Sequence, residues 1–295
     1  MLLGVGNRHW SASLLLLAVV VLASAASTAG EPLRVAAAIS LKEVLTATVE
    51  SFAAQTGVEV ELVFGSSGQL LAQVRSGAPV DVFISAAAEQ ADALERDGLA
   101  LAGSRRTIAG NRLVLIAPVE QSAQLDSFTA LTEPSLRRLA IGEPATVPAG
   151  RYAAQVLDKL GLTERLEGRL IYGSNVRQVL AYVERGEVTA GIVYASDTRA
   201  ASAAVRVVAM ADPDWHDPID YPALIVQTTR QAERATQFLH HLTGDEARQA
   251  LSERGFTLPP RPDESTLSDA RLPDAPHPQS ADKRRDGTSG VGAAR

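Results

Sequence analysis

From residue 34 onward, short uncharged apolar runs alternate with stretches whose apolar residues recur at i, i+3, i+4 and i+7. Val35 to Ile39 is the first such run and reads as a strand buried on both faces. Ser40 follows at a helix N-cap position, with Glu43 three residues on completing a capping-box pattern. Leu41, Val44, Leu45, Val49 and Phe52 then carry a helix that Gly57 ends. The same unit recurs: a strand at 58–64, the turn Gly65-Ser-Ser-Gly68, and a helix on Leu70, Leu71 and Val74 closed by Gly77. A strand at 80–85 and a helix at 89–96 follow, closed by Gly98.

Beyond residue 111 the rhythm continues. Strands are predicted at 112–118 and 138–142, then a two-proline loop over 143–150 opens a helix on Tyr152, Val156, Leu157 and Leu160. A strand at 169–172 and the turn Gly173-Ser-Asn175 lead to a helix on Val176, Val179, Leu180 and Val183. Strands at 190–194, 205–210 and 222–226 precede a mostly helical stretch over 232–254. Strands alternating with helices predict an α/β protein with largely parallel sheets flanked by helices. Two open lobes, joined where 113–118 and 221–226 cross between them, accommodate this count. The expected division is 31–112 with 223–258 as the first lobe and 113–222 as the second. One larger doubly wound domain is the architectural alternative.

Composition changes little in this picture but trims both ends. The chain is 46% hydrophobic and 21% charged with a net charge of −6, and no basic cluster is interleaved with aromatics, which argues against nucleic acid as a partner. There are no cysteines, which excludes disulfides, thiolate metal sites, cysteine nucleophiles and an N-terminal lipid-modified cysteine. Residues 1–29 read as a signal peptide: Arg8 and His9, an apolar core from Leu14 to Leu22, then small residues fitting cleavage after Ala25 or Ala29. A retained anchor is the alternative for this uncharged stretch. Residues 259–295 hold six prolines, no aromatic residue, and six acidic against six basic residues, so they read as a disordered tail.

In open α/β sheets, ligands sit beyond the carboxyl ends of strands, where loops enter helices. Ser40, the Ser66-Ser67 pair, the 147–149 segment, the 174–176 turn and Tyr194 all fall at such places. Each has an ordinary structural explanation. Ser40 can simply cap a helix, the paired serines can be turn residues, and Tyr194 can be a core aromatic. Their recurrence at equivalent positions of successive units favours one shared site. The helix-entry turns also offer unpaired backbone N–H groups, which suit an anion. Catalysis finds less support. Adjacent His240 and His241 make a poor metal pair, Gly65-Ser-Ser-Gly68 lacks nucleophile-elbow spacing, and phosphate-loop and dinucleotide fingerprints are absent. No cofactor is expected.

These stretches resemble the periplasmic molybdate-binding proteins of ABC importers. Val35-Ala-Ala-Ala-Ile-Ser-Leu41, with Ile39 interposed before the serine, resembles the family's first ligand turn and Phe64-Gly-Ser-Ser-Gly68 its second. Gly142-Glu-Pro with Val147-Pro-Ala-Gly150 resembles the third. Asn175-Val-Arg-Gln-Val-Leu180 and Gly191-Ile-Val-Tyr-Ala-Ser-Asp197 resemble the fourth and fifth. The likeness spans residues 33–258. It implies a two-lobed, type II periplasmic-binding fold and a monomer that captures molybdate or tungstate and delivers it to a membrane permease. Carried over by position, it implies oxyanion contacts from Ser40, Ser67, Ala149, Val176 and Tyr194. Neither neighbouring arginine, Arg151 or Arg177, is needed by those motifs, so both are expected to face solvent or a partner. The alternatives are a binder of another tetrahedral oxyanion such as sulfate, or a serine-dependent hydrolase or transferase using Ser67.

Overall fold

The computed structural model describes residues 30–120 and 125–260. The predicted signal peptide, residues 1–29, and nearly all of the predicted tail, 259–295, therefore lie outside the described residues. Among the described residues, no helix is long and apolar enough to cross a membrane.

The first lobe is built on β1 (Leu33–Ala38), β2 (Val60–Gly65), β3 (Val82–Ile84), β4 (Arg106–Gly110) and β10 (Asp220–Ile225), in the order β2-β1-β3-β10-β4. Strand parity divides its core. Val35, Ala37, Val82, Ile84, Ala223 and Ile225 share one apolar cluster with Leu41, Leu45 and Phe52 of the first helical segment. Ala36, Phe83 and Leu224, one residue out of phase, pack on the other face with Leu70, Leu71, Val74 and Leu94. The first face is covered by α1 (Lys42–Thr56) and α6 (Ala232–Thr243), the second by α2 (Ser67–Arg75) and α3 (Ala88–Arg96). A last helix, α7 (Asp245–Glu253), packs on α1 and α6.

The second sheet has β5 (Leu113–Pro118), β6 (Leu139–Gly142), β7 (Leu170–Gly173), β8 (Ala190–Tyr194) and β9 (Val205–Met210), in the order β7-β6-β8-β5-β9. Its helices α4 (Pro148–Lys159) and α5 (Val176–Glu184) bury Tyr152, Val156 and Leu157, and Val179, Leu180 and Val183.

Both sheets are mixed, with four of the five strands in each running one way and a single strand against them. In each, the three strands of the βα units pair in parallel, and the strand arriving from the other lobe enters antiparallel between its neighbours. That strand is β10 in the first sheet and β5 in the second. The return crossing also precedes β10, which pairs with β4 from Asp220 onward. Residues 220–222 thus belong with the first sheet, not with 113–222. Strand β4 has no counterpart in the sequence reading, because Arg-Thr-Ile-Ala-Gly shows neither alternation nor a long apolar run.

Candidate functional site

The carboxyl ends of β1, β2, β6, β7 and β8 face one another across the cleft between the sheets. They surround one shared pocket. Ser40, Ser67, Ala149, Val176 and Tyr194 all line it, together with Ser66, Ala86 and Asn175. None of its lining residues carries a charge, and no described histidine is among them.

Helix geometry leaves the first-turn N–H groups without intrahelical acceptors, and here three helices start at the pocket. At α2 the N–H of Ser67 is such a donor; that of Gly68 is used across the cleft, on Thr146 O at 3.0 Å. At α4 the N1 residue is Pro148, which has no N–H, so Ala149 supplies the first free donor. The start of α4 lies so close to the end of β6 that a Cβ on Gly150 would sit 2.0 Å from Gly142 O. Glycine at 150 is what allows Ala149 to reach the pocket. At α5 Asn175 caps, its Oδ1 accepting from Gln178 N at 3.0 Å, while Gln178 Oε1 accepts from Ser174 N at 2.6 Å. That reciprocal cap satisfies the flanking donors and leaves Val176 N free.

The hydroxyls are oriented by their partners. Asn111 Oδ1 accepts from Arg112 N at 2.9 Å, so its amide nitrogen is the donor to Tyr221 Oη, 3.1 Å away. Tyr221 Oη and Ser40 Oγ lie 3.0 Å apart, where either hydroxyl can donate; with Tyr221 as the donor the Ser40 proton is left for the pocket. Ser67 Oγ accepts from Ala86 N at 3.0 Å, which likewise frees its proton. Tyr194 Oη donates to Ala86 O at 3.3 Å. Ser66 Oγ is buried and has no partner at all. Burial pushes the Tyr194 and Tyr221 phenols well above their ordinary range, and the nearby Tyr152 phenol up to about 12, so all three remain neutral.

Two expectations fail at the rim. Ser40 makes no cap hydrogen bond; it lies within a 3-10 turn, Ile39–Leu41, whose first residue is the interposed Ile39. Glu43 instead reaches Arg177 Nη2 at 2.6 Å. Arg177 is not solvent-facing: only 18% of its side chain is exposed, and its Nε lies 2.9 Å from Oδ1 of the fully buried Asp197. The Nε–H is not aimed at that oxygen, so the contact is an ion pair without a hydrogen bond. Burial raises the Asp197 carboxyl to about 6, against the opposing pull of Arg177 and of the Tyr194 N–H on its Oδ2. Arg151 also turns inward, pairing with Glu89 of the first lobe. Tyr221 and Asn111 escaped the sequence reading, since nothing in their apolar or strand-end contexts marks them.

Fold and pocket together define a two-lobed protein that encloses a small polar ligand in its cleft. The chain belongs to the bacterial extracellular solute-binding protein family, whose model matches residues 33–257. It is 39% identical over 229 residues to the molybdate-binding protein ModA of Escherichia coli (strain K12), covering 75% of this chain and 87% of that one. The Haemophilus influenzae molybdate-binding protein ModA is 37% identical over 228 residues, 75% of this chain and 88% of that one. Among solved structures, the Azotobacter vinelandii periplasmic molybdate-binding protein superposes with a TM-score of 0.69 at 30% identity, covering 77% of this chain and 99% of that one. The sulfate-binding protein SubI of Mycobacterium tuberculosis gives the same TM-score at 15% identity, over 81% and 90% of the two chains, and shares the fold.

Proposed function

We propose that this protein is exported, captures molybdate, and tungstate alike, between its lobes, and presents the closed form as a monomer to the permease of an ABC importer. The observation that carries the reading is the donor set: hydroxyls of Ser40, Ser66, Ser67 and Tyr194 and the N–H groups of Ser67, Ala149 and Val176 meet at one uncharged pocket. A dianion leaving water needs its hydration replaced, and hydrogen bonds to charged groups are worth about 1.5–3 kcal/mol each. A shell of such donors, three of them at positive helix ends, offsets that cost without a cation. An all-donor lining favours a fully ionised tetrahedral oxyanion over hydrogen phosphate, whose proton requires an acceptor. The Tyr194 bond to Ala86 O is long, and an anionic acceptor in the pocket would outcompete it. No base accompanies Ser66 or Ser67, so nucleophilic chemistry has no support among the lining residues. The likeness to named molybdate-binding proteins supports the choice of ligand.

Thermal unfolding of the mature chain with molybdate, tungstate, sulfate or phosphate tests the proposal. A ligand at 100 times its Kd adds about 2.7 kcal/mol, a rise of roughly 5–10 °C for a protein of this size. The expected result is a rise with molybdate and tungstate only. A sulfate-only rise would change the ligand, and no rise with any oxyanion would overturn the reading.

A further inference from the structure

Three charged side chains just outside the pocket join elements that are far apart in sequence. Glu43 lies three residues after Ser40 on the first lobe, Arg177 one residue after Val176 on the second, and Asp197 three residues after Tyr194. Arg177 Nη2 is 2.6 Å from Glu43 Oε2 across the cleft, and its Nε is 2.9 Å from Asp197 Oδ1 within its own lobe. Asp197 Oδ2 in turn accepts from Tyr194 N at 3.2 Å, fixing the backbone that carries the tyrosine. The pairs are unevenly wet: Asp197 is fully buried, Arg177 is 18% exposed and Glu43 35% exposed. The Asp197 pair lies within the second lobe, whereas the Glu43 pair spans the two lobes.

We infer that Arg177, held by Asp197, is a latch that engages Glu43 on closure and thereby sets how long the ligand stays enclosed. This rests on the ligand-trapping reading above. Glu43, Arg177 and Asp197 touch no ligand position; they act by holding the Ser40, Val176 and Tyr194 elements together. Arginine suits this place because it stays charged and sets separate guanidinium nitrogens within ion-pair distance of two carboxylates. Breaking a partly desolvated charge pair across an interface acts chiefly on the off-rate, while exposed pairs act weakly. The Glu89–Arg151 pair also crosses the cleft, but Glu89 is 55% exposed, so it provides an internal control.

The test compares Glu43→Gln, Arg177→Met and Glu89→Gln in the mature chain, measuring molybdate association and dissociation by stopped flow. Lobe separation is read in parallel. The chain has no cysteine, so Ala54→Cys in the first lobe and Asp158→Cys in the second, both exposed, accept spin labels cleanly. The latch predicts dissociation about tenfold faster in Glu43→Gln and Arg177→Met, association within about threefold of the parent, and a longer, broader label distance. Glu89→Gln stays within about twofold. Arg177→Met also strips Asp197 of its partner, so Glu43→Gln is the decisive variant if Arg177→Met misfolds. Parent-like dissociation and label distances in Glu43→Gln overturn the latch. If the parent binds no oxyanion, the functional reading alone fails. The latch is then judged on label distances in the ligand-free proteins, where identical distributions for parent and Glu43→Gln overturn it.

Discussion

Gly68 of the first lobe donates its backbone N–H to the carbonyl oxygen of Thr146 in the second, at 3.0 Å. The approach leaves no room for a side chain. A Cβ at position 68 would lie 2.6 Å from Thr146 O and 2.8 Å from Thr146 Cα, both backbone atoms next to the turn that delivers Ala149. Gly68→Ala should therefore separate folding from closure. Inside the first turn of α2, alanine favours the helix by up to about 1 kcal/mol, so the ligand-free melting temperature should not fall. Molybdate affinity, measured by calorimetry, should drop at least about tenfold because the lobes no longer meet. Unchanged affinity would show that the cleft closes without this contact.

The paired serines should behave differently when each is truncated. Ser66 Oγ has no partner in the protein, so Ser66→Ala should leave the ligand-free protein as stable or slightly more so while weakening oxyanion binding. Ser67→Ala strands the buried Ala86 N–H and should cost about 1–3 kcal/mol in stability as well as affinity. Denaturant unfolding together with calorimetry distinguishes the two. Equal losses of stability would contradict the assigned partners.

Tyr194→Phe removes one neutral phenol donor and little packing. The loss of a hydrogen bond to a dianion is worth about 1.5–3 kcal/mol, or roughly 10- to 150-fold in Kd. Stability should change by only about 0.5–1.5 kcal/mol, since the bond to Ala86 O is long. A Kd within twofold of the parent would remove Tyr194 from the ligand shell.

Asp197 gives stability a pH dependence of defined sign. Its folded pKa, about 6, lies above the ordinary 3.8, so folding favours the protonated form. The contribution is full below pH 3.8 and is lost as pH rises through 6. Asp197→Asn does not titrate. The stability of the parent relative to Asp197→Asn should thus decline between pH 4 and pH 7, as followed by thermal unfolding across that range. A difference that is flat or grows with pH would mean that ion pairing with Arg177 outweighs burial.

Much of this molecule is legible along the chain, because its signals are local. Burial on two faces gives the uncharged runs of β1, β3 and β8, and burial on one gives the helical spacing of Val176, Val179, Leu180 and Val183. The places where strands hand over to helices are read from the same pattern, which marks Ser40, the Ser66-Ser67 pair, the 147–149 and 174–176 segments and Tyr194; the narrower set Ser40, Ser67, Ala149, Val176 and Tyr194 is what the family resemblance implies. What the pattern could not supply is anything set by two distant segments meeting. Insertion of β10 between β3 and β4 and of β5 between β8 and β9 makes both sheets mixed, although no residue in either strand encodes its neighbour. Arg177 reads as a surface arginine next to a ligand turn. Its inward course exists only because Glu43 and Asp197 arrive beside it from 134 residues before and 20 residues after. Gly68 reads as a turn residue until Thr146 crosses its Cβ position. Periodicity and helix-end chemistry act over a few residues, so the sequence determined the elements and the donors each could offer. Which donors share a pocket, and which charges close it, depended on packing across the cleft and was decided only by the tertiary structure.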